Sequence, residues 1–281
     1  LVEDADGLIA RAVGQIDADM MDRAPRLRVI GRHGVGVDNV DVEAATERGI
    51  YVVNTPLANA YTVAEHTVGV LLCLSRRIFE ADRAVRQGEW AFRNYGMGHE
   101  LCGKRLGIIG FGKIGRHLAG ICRLGFGMEI VYYDQLRFPD EEQRLGVSWA
   151  SLDELLSTSD VISIHMPLSP ATHHLIGQRE LSLVKQSVFF LNASRGSVVD
   201  GEALVDALTS KRIAGAGLDV FEVEPLPPHH PLMTLEHVIL TPHIAGHSRE
   251  SAVKLAMVAA DVIRVLNSEE PEFPVNRPRL S

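Results

Sequence analysis

Residues 105–124, RLGIIGFGKIGRHLAGICRL, constrain the fold more than any other stretch of the chain. An apolar strand-like run at 106–109 meets Gly110-Phe111-Gly112-Lys113-Ile114-Gly115 and passes directly into a helical pattern at 113–124. Each glycine has its own task in such a turn. Gly110 permits the tight bend, Gly112 lets an anion approach the backbone, and Gly115 lets the helix lie close on the strand. The helix N-terminus, with unpaired N–H groups and the positive end of its dipole, attracts a negative group. The next strand, 129–133, ends in Asp134, about twenty residues after the last glycine, where a carboxylate receives the ribose hydroxyls of a dinucleotide. The pattern predicts dinucleotide binding. It favours NAD over NADP, because Asp134 repels a 2′-phosphate, although Arg137 nearby softens that preference. A plain βα turn ending in a solvated Asp is the bland reading of the same residues.

Short apolar runs flank this unit in both directions. Those at 8–11, 27–30 and 50–54 alternate with helix-like segments, as do those at 106–109, 129–133, 161–165, 188–192, 213–219 and 238–241. Strands buried on both faces of a parallel sheet read as continuous apolar runs of this kind. A long helix is expected over 62–87, apolar at Val63, Val70, Leu71, Leu74 and Ile78, bridging two domains. Another is expected over 248–266, with Ala252, Leu255, Ala256, Ala259, Val262, Ile263 and Leu266 on one stripe, returning to the first block. The resulting fold class is α/β. A doubly wound, Rossmann-type parallel sheet spans 59–246, and a smaller flavodoxin-like α/β domain is built from 1–58 and 247–281.

At 281 residues the chain exceeds the usual size of one domain, which agrees with that division. Its 28 Lys and Arg against 36 Asp and Glu give a net charge of -8, which argues against nucleic acid or an anionic membrane surface as a partner. The longest apolar stretch, near 68–74, falls far short of the ~20 residues that cross a bilayer. Cys73, Cys102 and Cys122 have no metal-ligand spacing and are expected to be ordinary buried thiols in a reducing cytoplasm. The opening LVEDADGLIAR lacks a signal peptide's basic start and apolar core. It reads as the interior of a domain whose first elements are absent.

Three more segments narrow the function: Asn192-Ala193-Ser194-Arg195-Gly196, then Asp219-Val220-Phe221-Glu222-Val223-Glu224-Pro225, then Thr241-Pro242-His243-Ile244-Ala245-Gly246. With GRHGVGVDNVD, VVNTP and ANAYTVAEHTVG, they make the chain similar to the D-2-hydroxyacid dehydrogenases from residue 8 onward. The phosphoglycerate dehydrogenase branch is the nearest match. The resemblance leaves the family's opening β-α-β elements unmatched, and it includes no C-terminal regulatory domain. The resemblance implies an NAD-dependent oxidoreductase that moves a hydride to or from C2 of a small anionic 2-hydroxy or 2-oxo acid.

That chemistry needs a group to exchange a proton with the C2 oxygen. His243, on a loop after a strand, suits it, since an imidazole with an unperturbed pKa of about 6.5 titrates near working pH. The resemblance makes Glu224 its carboxylate partner. Arg195 follows a strand, so its guanidinium is expected over the sheet's C-terminal edge, able to grip a carboxylate and polarise a carbonyl. Taken singly, His243 is equally a strand-end cap, Glu224 a surface acid and Arg195 half of a structural ion pair. Their joint occurrence beside the glycine turn favours the catalytic reading.

By the same resemblance, Asp219 meets the nicotinamide carboxamide, and His165, Pro167, Thr172, Ala193, Ser194, His243 and Gly246 join the glycine turn in holding the cofactor. Val35 and Gly36 correspond to the loop whose N–H groups receive the substrate carboxylate. Arg11 and Arg32, each just past a short strand, hold a second anionic end or form surface ion pairs. Sequence leaves 3-phosphoglycerate, hydroxypyruvate, glyoxylate and sulfolactate open as substrates. No metal site is expected, because His173-His174 and His229-His230 lack ligand spacing. The resemblance also implies a homodimer paired through 62–86, with which the apolar stripe there agrees. The contrasting class is a non-catalytic NAD-sensing protein of the corepressor kind.

Overall fold

β-Branched and aliphatic runs form two parallel sheets in the computed structural model, which describes residues 2–11 and 14–278. The chain divides into two compact units, Leu1–Asn59 with His247–Ser281, and Ala60–Gly246.

The first unit opens with β1 (Gly7–Ala10), α1 (Ala18–Asp22), β2 (Val29–Arg32), α2 (Val42–Glu47) and β3 (Tyr51–Val53). The second runs through α3 (Ala60–Ser75), α4 (Ile78–Arg86), β4 (Arg105–Ile109), α5 (Lys113–Phe126), β5 (Glu129–Tyr133), α6 (Pro139–Leu145) and β6 (Ser148–Trp149). It continues through α7 (Leu152–Thr158), β7 (Val161–Ile164), α8 (Gln178–Leu183), β8 (Phe189–Asn192), α9 (Gly201–Thr209), β9 (Gly215–Leu218) and β10 (Val238–Leu240). The chain returns to the first unit with α10 (Arg249–Ala256) and α11 (Val258–Leu266).

In the first unit the strand order is β1-β2-β3, all parallel. Val258, Val262 and Val265 of α11 pack on Val29, Tyr51 and Val53. Gly31 makes this approach possible, because a Cβ there would lie 2.5 Å from Val262 Cγ2. The segment 248–266 is two helices instead of one, with the break at Met257. The break re-phases the buried face, so Leu255, Val258, Val262 and Val265 point inward while Ala252, Ala256 and Ile263 of the expected stripe are exposed.

The second unit's sheet has the order β10-β9-β8-β7-β4-β5-β6. Chain direction reverses its progress across the sheet between β4 and β7, which opens a crevice at their C-terminal ends. Leu106, Ile108 and Ile109 of β4 are fully buried, covered on one face by α3 and α5 and on the other by α7 and its neighbours. β6 escaped the sequence reading because its two residues are exposed and carry no apolar pattern.

The helix expected over 62–87 is also divided. Arg77 adopts φ +54, outside the right-handed helical region, and separates α3 from α4. Its side chain pairs with Glu80 and lies 5.1 Å from the Phe92 ring centre, tying the start of α4 to the following turn. Ile78 consequently faces outward, not into the core. Cys102 differs from expectation too: it is exposed, whereas Cys122 is buried and Cys73 half-buried. Among the described residues no helix is long and apolar enough to cross a membrane.

Candidate active site

The site residues of the second unit singled out from sequence lie on the segments that follow the C-terminal ends of β4, β5, β7, β8, β9 and β10. The turn after β4 has the geometry its glycines suggested. Gly110 has φ +96, and a Cβ there would come within 2.6 Å of the His165 carbonyl oxygen. Gly115 leaves no room for a Cβ against the Gly110 carbonyl. Gly112 is different: nothing lies within 4 Å of where its Cβ would be. It begins α5 with no side-chain cap, so no capping side chain occupies the N-terminal N–H groups of the helix.

Asp134 is fastened to this turn, its Oδ2 accepting the Phe111 N–H at 2.8 Å and its Oδ1 the Leu136 N–H at 3.2 Å. A carboxylate has further lone pairs for ribose hydroxyls. Arg137 is engaged with Glu142 at 2.9 and 3.0 Å. His165 is buried, with Nε2 2.8 Å from Ser163 Oγ and Nδ1 unpartnered among the described residues. Burial lowers its pKa to about 3, keeping it neutral. The open cradle at Gly112, the uncapped helix and the unpartnered His165 nitrogen fit an NAD site.

Nearby loops are braced internally. Thr172 donates to the Pro167 carbonyl at 2.7 Å and accepts the Ser169 N–H at 2.8 Å. Asn192 Oδ1 accepts from the Ser194 N–H and hydroxyl at 3.0 and 2.9 Å, and Asn192 Nδ2 donates to the Arg195 carbonyl at 2.9 Å. This side-chain turn fixes Ala193, Ser194 and half-buried Arg195 above β8. Arg195 Nη1 donates to the Ser194 carbonyl at 2.7 Å. Gly196 has no room for a Cβ against the Phe221 carbonyl, so its backbone lies directly against the segment leading to Glu224.

The structure brings Arg195, Glu224, His243 and Asp219 into one neighbourhood. His243 Nδ1 lies 2.7 Å from Glu224 Oε2, while Glu224 Oε1 accepts the Phe221 N–H at 3.0 Å. The hydrogen bond with Glu224 raises the His243 pKa above its ordinary value against the opposing effect of burial. The negative charges of Glu224 and Asp219 add to the rise, and the Arg195 guanidinium opposes it. Burial disfavours ionised Glu224, yet the hydrogen bonds from His243 and Phe221 and the charges of His243 and Arg195 hold its carboxyl below the usual range. With Nδ1–H committed to Glu224, the other ring nitrogen, Nε2, is the one left to exchange a proton.

Asp219 is buried, and its carboxylate accepts the Ile244 and Ala245 N–H groups at 2.9 and 2.8 Å. Gly246, at the end of the same segment, is half-buried.

In the first unit, Val35 and Gly36 sit on the half-buried loop after β2, and among the described residues their N–H groups meet no acceptor. The Val35 carbonyl accepts from Asn54 Nδ2 at 2.6 Å. Arg32 donates to the His33 carbonyl at 2.7 Å and Asn39 Oδ1 at 3.1 Å, and Arg11 is exposed.

Sequence reasoning gave no role to Asn192, Thr241 or His66, which shape this site. Asn192 and Thr241 stood in quoted motifs, and a polar side chain at a strand's C-terminal end was their signal. His66 lies beside the buried stripe of α3, three residues after Val63 and four before Val70. Among the described residues no three His, Cys, Asp or Glu side chains gather as metal ligands. His173 and His174 stack on each other, and His174 pairs with Glu222.

Residues 68–245 match the family described as D-isomer specific 2-hydroxyacid dehydrogenase, NAD binding domain. Among curated relatives, the glyoxylate reductase of Korarchaeum cryptofilum (strain OPF8) is 45% identical over 280 residues, covering 98% of this chain and 84% of that protein. The D-3-phosphoglycerate dehydrogenase of Methanocaldococcus jannaschii is 43% identical over 282 residues, covering 99% of this chain and 53% of that protein. The solved structure of the TT0316 protein from Thermus thermophilus superposes with a TM-score of 0.92 at 41% identity, covering 98% of this chain and 87% of that one.

Proposed function

Because the chain belongs to the D-isomer-specific 2-hydroxyacid dehydrogenase family and is an NAD-dependent oxidoreductase of 2-hydroxy acids, we propose that His243, Glu224 and Arg195 carry the reaction and that glyoxylate is its substrate. The observation that carries the catalytic assignment is the 2.7 Å contact of His243 Nδ1 with Glu224 Oε2 beside Arg195.

NADH, when bound, supplies the hydride that reduces C2 of the oxo acid. His243 donates the Nε2 proton to the C2 oxygen as the carbonyl becomes a hydroxyl, and in oxidation the neutral ring takes that proton back. Glu224 fixes the tautomer and favours the imidazolium. Arg195 holds the substrate carboxylate and polarises the carbonyl, with its planar fork of permanently charged donors. Gly110, Gly112, Gly115 and the start of α5 receive the pyrophosphate, and Asp134 the ribose.

Glyoxylate is favoured over a phosphorylated acid by two observations. The relatives that this chain spans over 84% of their length include glyoxylate reductases. Arg32, one of the two arginines considered for a second anionic end, is engaged with its own loop. The non-catalytic NAD-sensing alternative finds no support in the relatives. Pairing into a homodimer through 62–86 belongs to this reading, with Ile78, Phe79 and Val85 exposed on that segment. So does a cytoplasmic setting, in which the three free thiols stay reduced. The test is NADH oxidation with glyoxylate, hydroxypyruvate and phosphohydroxypyruvate: the reading expects the highest kcat/KM for glyoxylate, and a preference for the phosphorylated acid overturns the substrate assignment.

A further inference from the structure

His243 owes its position to residue 219. The His243 N–H donates to the Asp219 carbonyl at 2.8 Å, and the next two N–H groups, of Ile244 and Ala245, end on the two oxygens of the Asp219 carboxylate. These bonds hold His243 at φ +54, a region that non-glycine residues seldom occupy without support. The Asp219 carboxylate therefore braces the backbone turn from which the imidazole projects.

That carboxylate has a third donor. Thr241 Oγ1 lies 2.6 Å from Asp219 Oδ1 and 3.2 Å from His66 Nε2. A hydroxyl has one hydrogen, and the shorter contact with the charged acceptor takes it. Toward His66 the hydroxyl can then only accept, so His66 Nε2 carries a hydrogen and donates. His66 Nε2 also lies 3.8 Å from Asp219 Oδ1 itself. The chain of donors runs His66, Thr241, Asp219, and from there to the turn that holds His243.

The fold puts His66 there by a packing device. Gly217 on β9 has no room for a Cβ against Val70, so α3 lies directly on the strand that ends one residue before Asp219. One helical turn before Val70, His66 reaches past the strand ends to Thr241. We infer that His66 is a positioning residue for the acid–base centre, acting through Thr241 and Asp219 to hold His243 in place. The inference rests on the acid–base role proposed for His243.

The test uses the full chain, NADH oxidation with glyoxylate, and NADH affinity by fluorescence. His66→Phe keeps a planar ring and removes the donor, His66→Gln restores an N–H donor, and Thr241→Val removes the intermediate hydroxyl at nearly constant shape. His66→Phe is expected to lower kcat about tenfold or more while the NADH Kd stays within about twofold, and His66→Gln to recover most of the loss. His66→Phe combined with Thr241→Val should fall no further than the worse single variant, within about twofold, because both cut one chain. A kcat for His66→Phe within about twofold of wild type, a Gln variant no better than Phe, multiplying losses, or a loss confined to NADH binding each overturn the inference. Should His66→Phe fail to fold, Thr241→Val carries the same expectation, and an unchanged kcat in it overturns the inference. His243→Ala runs alongside: if it keeps its rate, the acid–base reading itself falls, whereas an inactive His243→Ala beside a normal His66→Phe removes only the role of His66.

Discussion

His243 Nδ1 donates to Glu224 Oε2 at 2.7 Å from a backbone held at φ +54. The two residues stand on different loops, one after β10 and the other beyond β9, so their contact is made only when the sheet's C-terminal edge is assembled. The contact leaves Nε2 as the ring nitrogen not engaged with Glu224 and raises the pH at which the ring lets its proton go.

Replacing Glu224 by Gln tests this electrostatic link. Reduction requires protonated His243, so its rate falls as pH rises through the imidazole pKa. Since Glu224 raises that pKa, Glu224→Gln should move the alkaline limb of kcat/KM for reduction to lower pH. In oxidation the neutral ring is the base, so the acidic limb should move to lower pH as well. Paired pH–rate profiles check both signs, and unshifted limbs contradict them.

Arg195 presents a fork that Lys cannot copy. Each hydrogen bond to a charged group is worth about 1.5–3 kcal/mol, or roughly tenfold to a hundredfold. Arg195→Ala should therefore lower kcat/KM by at least that factor, and Arg195→Lys should restore only part of it. Steady-state kinetics with glyoxylate provide the check.

The glycines of the turn should separate by phenotype. Gly112→Ala meets open space and should keep the wild-type unfolding midpoint while weakening NADH binding. Gly110→Ala demands a left-handed backbone and presses on the His165 carbonyl, so it should lower the midpoint. Thermal unfolding beside NADH fluorescence titration distinguishes the two.

Asp134 should govern the choice of cofactor. Its carboxylate faces the glycine turn while Arg137 is held by Glu142, so Asp134→Ala should raise activity with NADPH relative to NADH. An unchanged ratio of the two kcat/KM values contradicts that role.

Much of this site was legible in the chain because parallel strands, buried on both faces, announce themselves as apolar runs whose C-terminal ends can be counted. The glycine turn, Asp134, Arg195 and His243 were all placed this way. The breaks at Arg77 and Met257 were not, because neither is a proline or glycine and the helical pattern continues across both. The exposure of Ile78 followed from the turn at Arg77, which local sequence does not mark, whereas Gly103, at φ +72, does mark the turn that exposes Cys102. Least legible was the bond from His66 to Thr241, which joins residues 175 positions apart and depends on how closely α3 lies on Gly217.

The central claim, that His243 moves the proton at C2, is tested most directly by His243→Ala, followed through NADH absorbance with glyoxylate and through NADH fluorescence without it. The account predicts a fall in kcat of about 10²–10⁴-fold in a variant that still binds NADH. Turnover within about tenfold of wild type would contradict it, and would move the acid–base role away from His243.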